Sequence, residues 1–148
     1  MRPLIASVLV VILAAACAAA TPSPTVKPLA TITITSPKAG ETIAAGTVTV
    51  AYEISDVVLV PAASAAKPED YHVHVFLDLD TSPYVGKDLP VPAGDANPNP
   101  SRIIHTAAKS VTFNNVTAGE HTVTVFMTLA SHVSVKPPVS ATSKFTVR

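Results

Sequence analysis

The chain predicts an all-β fold, a two-sheet sandwich standing behind an export signal and a flexible tether. Three observations carry this. Apolar and polar residues alternate in several short runs, the mark of strands with one buried face. Turn-forming Gly, Pro, Asn and Asp separate those runs. Fourteen prolines and no tryptophan, with abundant Val, Thr and Ile, favour strands over helices.

The elements follow in order. Arg2, the apolar run Leu4 to Leu13 and the small residues Ala14-Ala15-Ala16 before Cys17 have the layout of a bacterial export signal over residues 1–16. The run is too short to remain as a membrane-spanning helix. Cys17 is the chain's one cysteine, so no intramolecular disulfide can form. Three small residues before it resemble a lipobox, which implies cleavage there, lipid on its sulfur and a membrane anchor for the exported protein. Ala14 stands where a lipobox usually has Leu, and ordinary cleavage nearby is the alternative. Residues 17–30 are mostly Ala, Thr, Pro and Ser with one lysine, a tether that cannot bury a core.

The domain, 31–148, opens with Ile32 and Ile34 alternating with threonines, then a turn from Ser36 to Glu41. Val48, Val50, Tyr52 and Ile54 form a second strand, and Val57 to Val60 a short edge piece. Tyr71 to Asp80 is the third, with Val73, Val75, Leu77 and Leu79 on the core side and His72, His74, Phe76, Asp78 and Asp80 on the other. The proline-rich segment from Thr81 to about Ala108 reads as one long loop. Val111, Phe113 and Val116 mark the next strand, Val123 to Leu129 another, and Phe145 and Val147 the last. About seven short strands with turns between them predict an immunoglobulin-like or fibronectin-like sandwich.

Charge excludes some functions. Ten basic residues balance ten acidic ones with no basic stripe, so nothing points to nucleic acid.

The histidines are the candidate site. His72 and His74 share a strand face with Cα atoms roughly 6.5–7 Å apart, close enough for two imidazoles to meet one ion. In such sandwiches the third and sixth strands pair antiparallel. Placing Phe76 opposite Phe126 makes paired numbers sum to 202, which sets His74 against Thr128 and His72 against Ala130. His132 then falls in the loop at the same end. His121 falls about nine residues, or roughly 30 Å, from His72. His105, inside the long loop, can reach either end. Three imidazoles suit Zn(II) or Cu(II), with water or His105 completing the shell. The plainer reading makes His72 and His74 solvated strand residues, His132 a loop anchor and His121 a cap on its strand. Asp78, Asp80, Asp88, Asp95, Asn97 and Asn99 lack the spacing of a Ca²⁺ loop and read as solvated.

Several segments together resemble a known family. They are Ser36-Pro37-Lys38-Ala39-Gly40-Glu41-Thr42, His72-x-His74-x-x-x-Asp78, Leu89-Pro90-x-Pro92-Ala93, His105, Ala118-Gly119-Glu120-His121-Thr122, and His132 followed by Pro137-Pro138-Val139-Ser140. In this order they are similar to an exported bacterial family known as domain of unknown function 4399. All five histidines fall on histidines of that pattern. The chain departs from it at Tyr71, Val73, Val135 and Thr106-Ala107-Ala108, where the family has glycines or further histidines. The resemblance implies export and a β domain and assigns no activity.

Two functions compete. One is a cell-envelope lipoprotein, periplasmic or surface-facing, whose domain is a non-catalytic binding or interaction module. The other is an envelope Zn- or Cu-binding protein using His72, His74, His132 and His105. An enzyme is not expected, because Ser, His and Asp show no positioned arrangement and His105 with Asp78 is the single acid–base pairing to name.

Overall fold

A computed structural model of the chain describes residues 29–90 and 102–148. The export signal, Cys17 and nearly all of the tether lie outside the described residues, as do Asp95, Asn97 and Asn99. Among the described residues there are eight strands and no α-helix. They are β1 (Ile32–Ser36), β2 (Thr42–Ile43), β3 (Gly46–Ile54), β4 (Tyr71–Leu77), β5 (Ile103–Thr106), β6 (Ser110–Val116), β7 (Gly119–Leu129) and β8 (Ser140–Val147). Two sheets result, β1-β3-β6 and β2-β8-β7-β4-β5. The architecture is therefore an all-β sandwich.

Inward-facing residues of both sheets make the core. Val48, Val50, Tyr52, Val111 and Phe113 come from the three-stranded sheet. Val73, Val75, Val123, Val125 and Met127 come from the five-stranded one, and all five are fully buried. The expected period of two thus holds on β3, β4 and β7. Ala30, assigned to the tether by composition, already packs into this core.

Several expectations need correcting. Strand β4 ends at Leu77, not Asp80, because Asp78 takes a left-handed conformation (φ 54°) and turns the chain. Leu79 is accordingly exposed rather than part of the core. Residues 57–60 make a single bridge, Leu59 to Tyr71, in place of an edge strand. Thr42–Ile43 adds a short parallel pairing with β8 that periodicity does not reveal. His105 is not in a loop. Ile103–Thr106 is the edge strand β5, paired with β4, and four residues are too few to show a period.

The central pair β4–β7 forms as expected, but its numbers sum to 200, with Val75 opposite Val125. His72 therefore faces Thr128 and His74 faces Phe126. Two causes set this register. The chain turns at Leu129, whose carbonyl accepts from His132 N–H at 2.9 Å, so Ala130 has left the strand before it can pair. Phe76 and Phe126, now diagonal, pack together with Leu89 rather than against each other alone. A slip of two residues keeps every side chain on its face, so the histidine face survives the error.

The outer face of β4 and β7 is covered, contrary to the reading of it as solvated. Leu89 N–H donates to the His132 carbonyl at 2.9 Å, Ser134 N–H to the Lys87 carbonyl at 3.1 Å, and Asp88 bridges Val133. Two loops knitted in this way form a second, smaller core over Phe76, Phe126, His72 and His74.

Candidate metal centre

Four histidines from three elements meet under that cover. Strand β4 presents His72 and His74 from alternate positions, and β5 presents His105 directly opposite His74. The loop after β7 supplies His132 in a left-handed conformation (φ 64°). Such a conformation is uncommon outside glycine and costs about 1–2 kcal/mol, which the backbone bonds on both sides of His132 offset. His72 and His74 are buried, while His105 and His132 are half-buried. One ring nitrogen from each of the four lies within 4.8 Å of the others.

Three of those nitrogens form a near-equilateral triangle. His72 Nε2 to His132 Nδ1 is 3.1 Å, His74 Nε2 to His72 Nε2 is 3.3 Å, and His74 Nε2 to His132 Nδ1 is 3.3 Å. A tetrahedral Zn(II) with its bonds of 2.0–2.1 Å separates its ligand nitrogens by about 3.3–3.4 Å. A square-planar ion would instead need adjacent nitrogens about 2.9 Å apart and opposite ones about 4.1 Å apart. The triangle fits one face of a tetrahedron.

Hydrogen bonding alone serves this triangle poorly. Each ring nitrogen has a single in-plane direction and uses it either to donate or to accept. Three such nitrogens set against one another cannot all be matched pairwise. The tautomer of His74 sharpens the conflict. Its Nδ1 lies 3.1 Å from the Pro90 carbonyl, which only accepts, so Nδ1 carries the hydrogen and Nε2 turns its lone pair into the cluster. A backbone carbonyl on the outer nitrogen is also the usual device for orienting a metal-ligating imidazole. His72 differs, since its Nδ1 is buried without a partner among the described residues. Its Nε2 is shared with the Thr128 hydroxyl at 3.0 Å.

The electrostatics keep these rings neutral. Burial first, and the neighbouring imidazoles after it, lower His74 to about 3 and His72 to about 4. At neutral pH their lone pairs are available to a cation.

His121 stands apart, as expected, but nearer than nine residues. Its Nδ1 lies 2.8 Å from the Asp78 carboxylate and its Nε2 2.8 Å from the Thr117 carbonyl. Asp78 is six residues from His72, about 20 Å along β4. Asp78 also pairs with Arg102 and accepts from Thr122 N–H at 2.8 Å. The acid–base pairing of His105 with Asp78 does not form, because His105 lies opposite His74, four residues or about 13 Å along the chain from Asp78.

Sequence reasoning missed two contributors. Thr128 looked like a plain strand threonine, and the Pro90 carbonyl carries no side-chain signal at all. A His-x-His strand followed by a distant histidine strand of β-branched residues, Ile103-Ile104-His105-Thr106, was the clue available for His105.

No family model matches the chain, and comparison with curated proteins and with solved structures finds no match.

Proposed function

We propose that this chain is an exported, non-catalytic Zn(II)-binding protein of the bacterial cell envelope, with His72, His74, His105 and His132 as ligands. The nitrogen triangle of 3.1, 3.3 and 3.3 Å is the observation that carries the reading. Four imidazoles would close a tetrahedral shell, the arrangement of a holding site rather than a hydrolytic one. The same spacing speaks against tetragonal Cu(II).

The finer parts of the reading rest on other features. The sheet order β1-β3-β6 over β2-β8-β7-β4-β5, with β7 and β4 both interior, supports an immunoglobulin-like type of sandwich. Export and a lipid anchor at Cys17 rest on the sequence of residues 1–17, and membership of the family of unknown function 4399 on the motifs alone.

Zinc titration against a chromophoric chelator tests the metal reading. One ion per chain, at micromolar affinity or tighter, is expected. A second reading is favoured by the Thr128 hydroxyl on His72 Nε2, which makes the cluster a metal-free polar plug beneath the loops. Under it the same titration shows no competition for the metal.

A further inference from the structure

His105 belongs to two places at once. It is one of the four clustered imidazoles, and it also forms part of the wall of a cleft of about 470 Å³. The cleft lies between the turn Ala62–Ser64 and the end of β5, with Leu59, Pro61, Ala62 and Ala107 among its walls. None of its lining residues is charged, and His105 and Thr106 are its polar members. The Tyr52 hydroxyl donates to the carbonyl of Ala108, another wall residue, which holds that side in place.

The four candidate ligands would hold an ion unequally. His72 and His74 are buried, and His132 is clamped by backbone bonds on both sides. His105 sits on a four-residue edge strand paired on one side only. It is the ligand whose departure disturbs least. Charge supplies a reason for it to be replaced. Four imidazoles are neutral, so a divalent ion among them keeps its whole charge with no carboxylate or thiolate in the set to balance it.

We propose that the cleft is the port for a small organic anion with an apolar tail, whose carboxylate takes the place of His105 on the metal. The anionic head would answer the unbalanced charge, and the tail would lie on Leu59, Pro61 and the alanines. This rests on the metal reading above. It adds the class of external ligand and the residue that yields to it. In the exchange the carboxylate donates its electron pair to the metal as His105 withdraws its own. No proton or electron needs another source.

Co(II), whose visible spectrum reports coordination, is the probe. The full chain loaded with Co(II) is titrated with acetate, propionate and butyrate. The spectrum is expected to shift, with affinity rising about fourfold for each added methylene that enters the cleft. His105→Ala should strengthen the response. Ala62→Trp should abolish the chain-length dependence and leave Co(II) binding unchanged. A Co(II)-loaded protein whose spectrum no carboxylate moves, in wild type and in His105→Ala, would overturn the inference and leave the metal reading standing. Equal affinities for the three acids in the wild type would overturn the cleft's part without reliance on any variant. Failure to bind Co(II) and Zn(II) at all would overturn both.

Discussion

At one end of the β4–β7 pair, both nitrogens of His121 face groups that can only accept a hydrogen bond, the Asp78 carboxylate and the Thr117 carbonyl. At the other end, nitrogens of His72, His74 and His132 face one another. Both sites are buried or nearly so, and both lie on the same two strands. The difference is whether the protein supplies what each imidazole needs. Around His121 each ring N–H finds an acceptor, in the Asp78 carboxylate or the Thr117 carbonyl. Around His74 the outer nitrogen is satisfied by Pro90 while the inner one points at its own kind. The first end is complete as folded, and the second gains from a cation.

Substitution at the two ends should separate them most sharply. His74→Ala should weaken Zn(II) binding by well over about 100-fold, since loss of a mere outer partner can reach that. His121→Ala should leave it unchanged. Competition titration of the two variants side by side reads the contrast. Equal losses would mean that metal binding reports general folding rather than the cluster.

Acid should act on the cluster end in the metal-free protein. His72 and His74 have folded-state values below the ordinary 6.5, so the unfolded chain binds more protons than the folded one beneath that pH. Their contribution is therefore intact above pH 6.5 and is lost as pH falls toward 4 and then 3. At pH 5 the loss is about 2 kcal/mol for each ring, from 1.36 kcal/mol per unit over 1.5 units. Denaturant melts between pH 7 and 5 measure it, and His72→Phe with His74→Phe should flatten the profile. An unaltered profile in that double variant would place the acid sensitivity elsewhere.

Asp78 probes the opposite end. Asp78→Ala removes the partner of His121, of Arg102 and of Thr122 N–H together. A loss of about 2–3 kcal/mol is expected, because a nearly buried donor is left unmatched. Zn(II) affinity should not move. Chemical denaturation with and without zinc checks both halves.

A core change serves as the control between them. Val125 lies opposite Val75 and both are fully buried. Val125→Ala should cost about 1–3 kcal/mol, the range for deleting buried methyl groups, and should spare the metal affinity. A change within experimental error would mean that the inner face has been misassigned.

Much of this arrangement was legible in the residues, and the gaps have identifiable causes. Alternation placed Val73, Val75 and Val125 inside, because a period of two is a local property of the chain. The same alternation set His72, His74 and Phe76 on one face, and the loop after β7 could be brought to them by topology. Register was wrong by two because it was fixed on a single aromatic pair, Phe76 and Phe126, while the turn at Leu129 and the wedge of Leu89 decided it. Burial of the outer face was invisible, since the backbone bonds from Leu89 and Ser134 to the facing loop depend on tertiary structure. The strand of His105 is hidden from the sequence for a related reason. Its strand is four residues long and is held by pairing with β4, not by its own pattern.

X-ray absorption at the zinc edge of the stoichiometrically loaded full chain tests the central claim most directly. The account expects a first shell of four nitrogen neighbours at about 2.0 Å with the outer-shell scattering of imidazole, and loss of that signature in His72→Ala. A shell dominated by carboxylate or water oxygen, or a signature unchanged in His72→Ala, would contradict it.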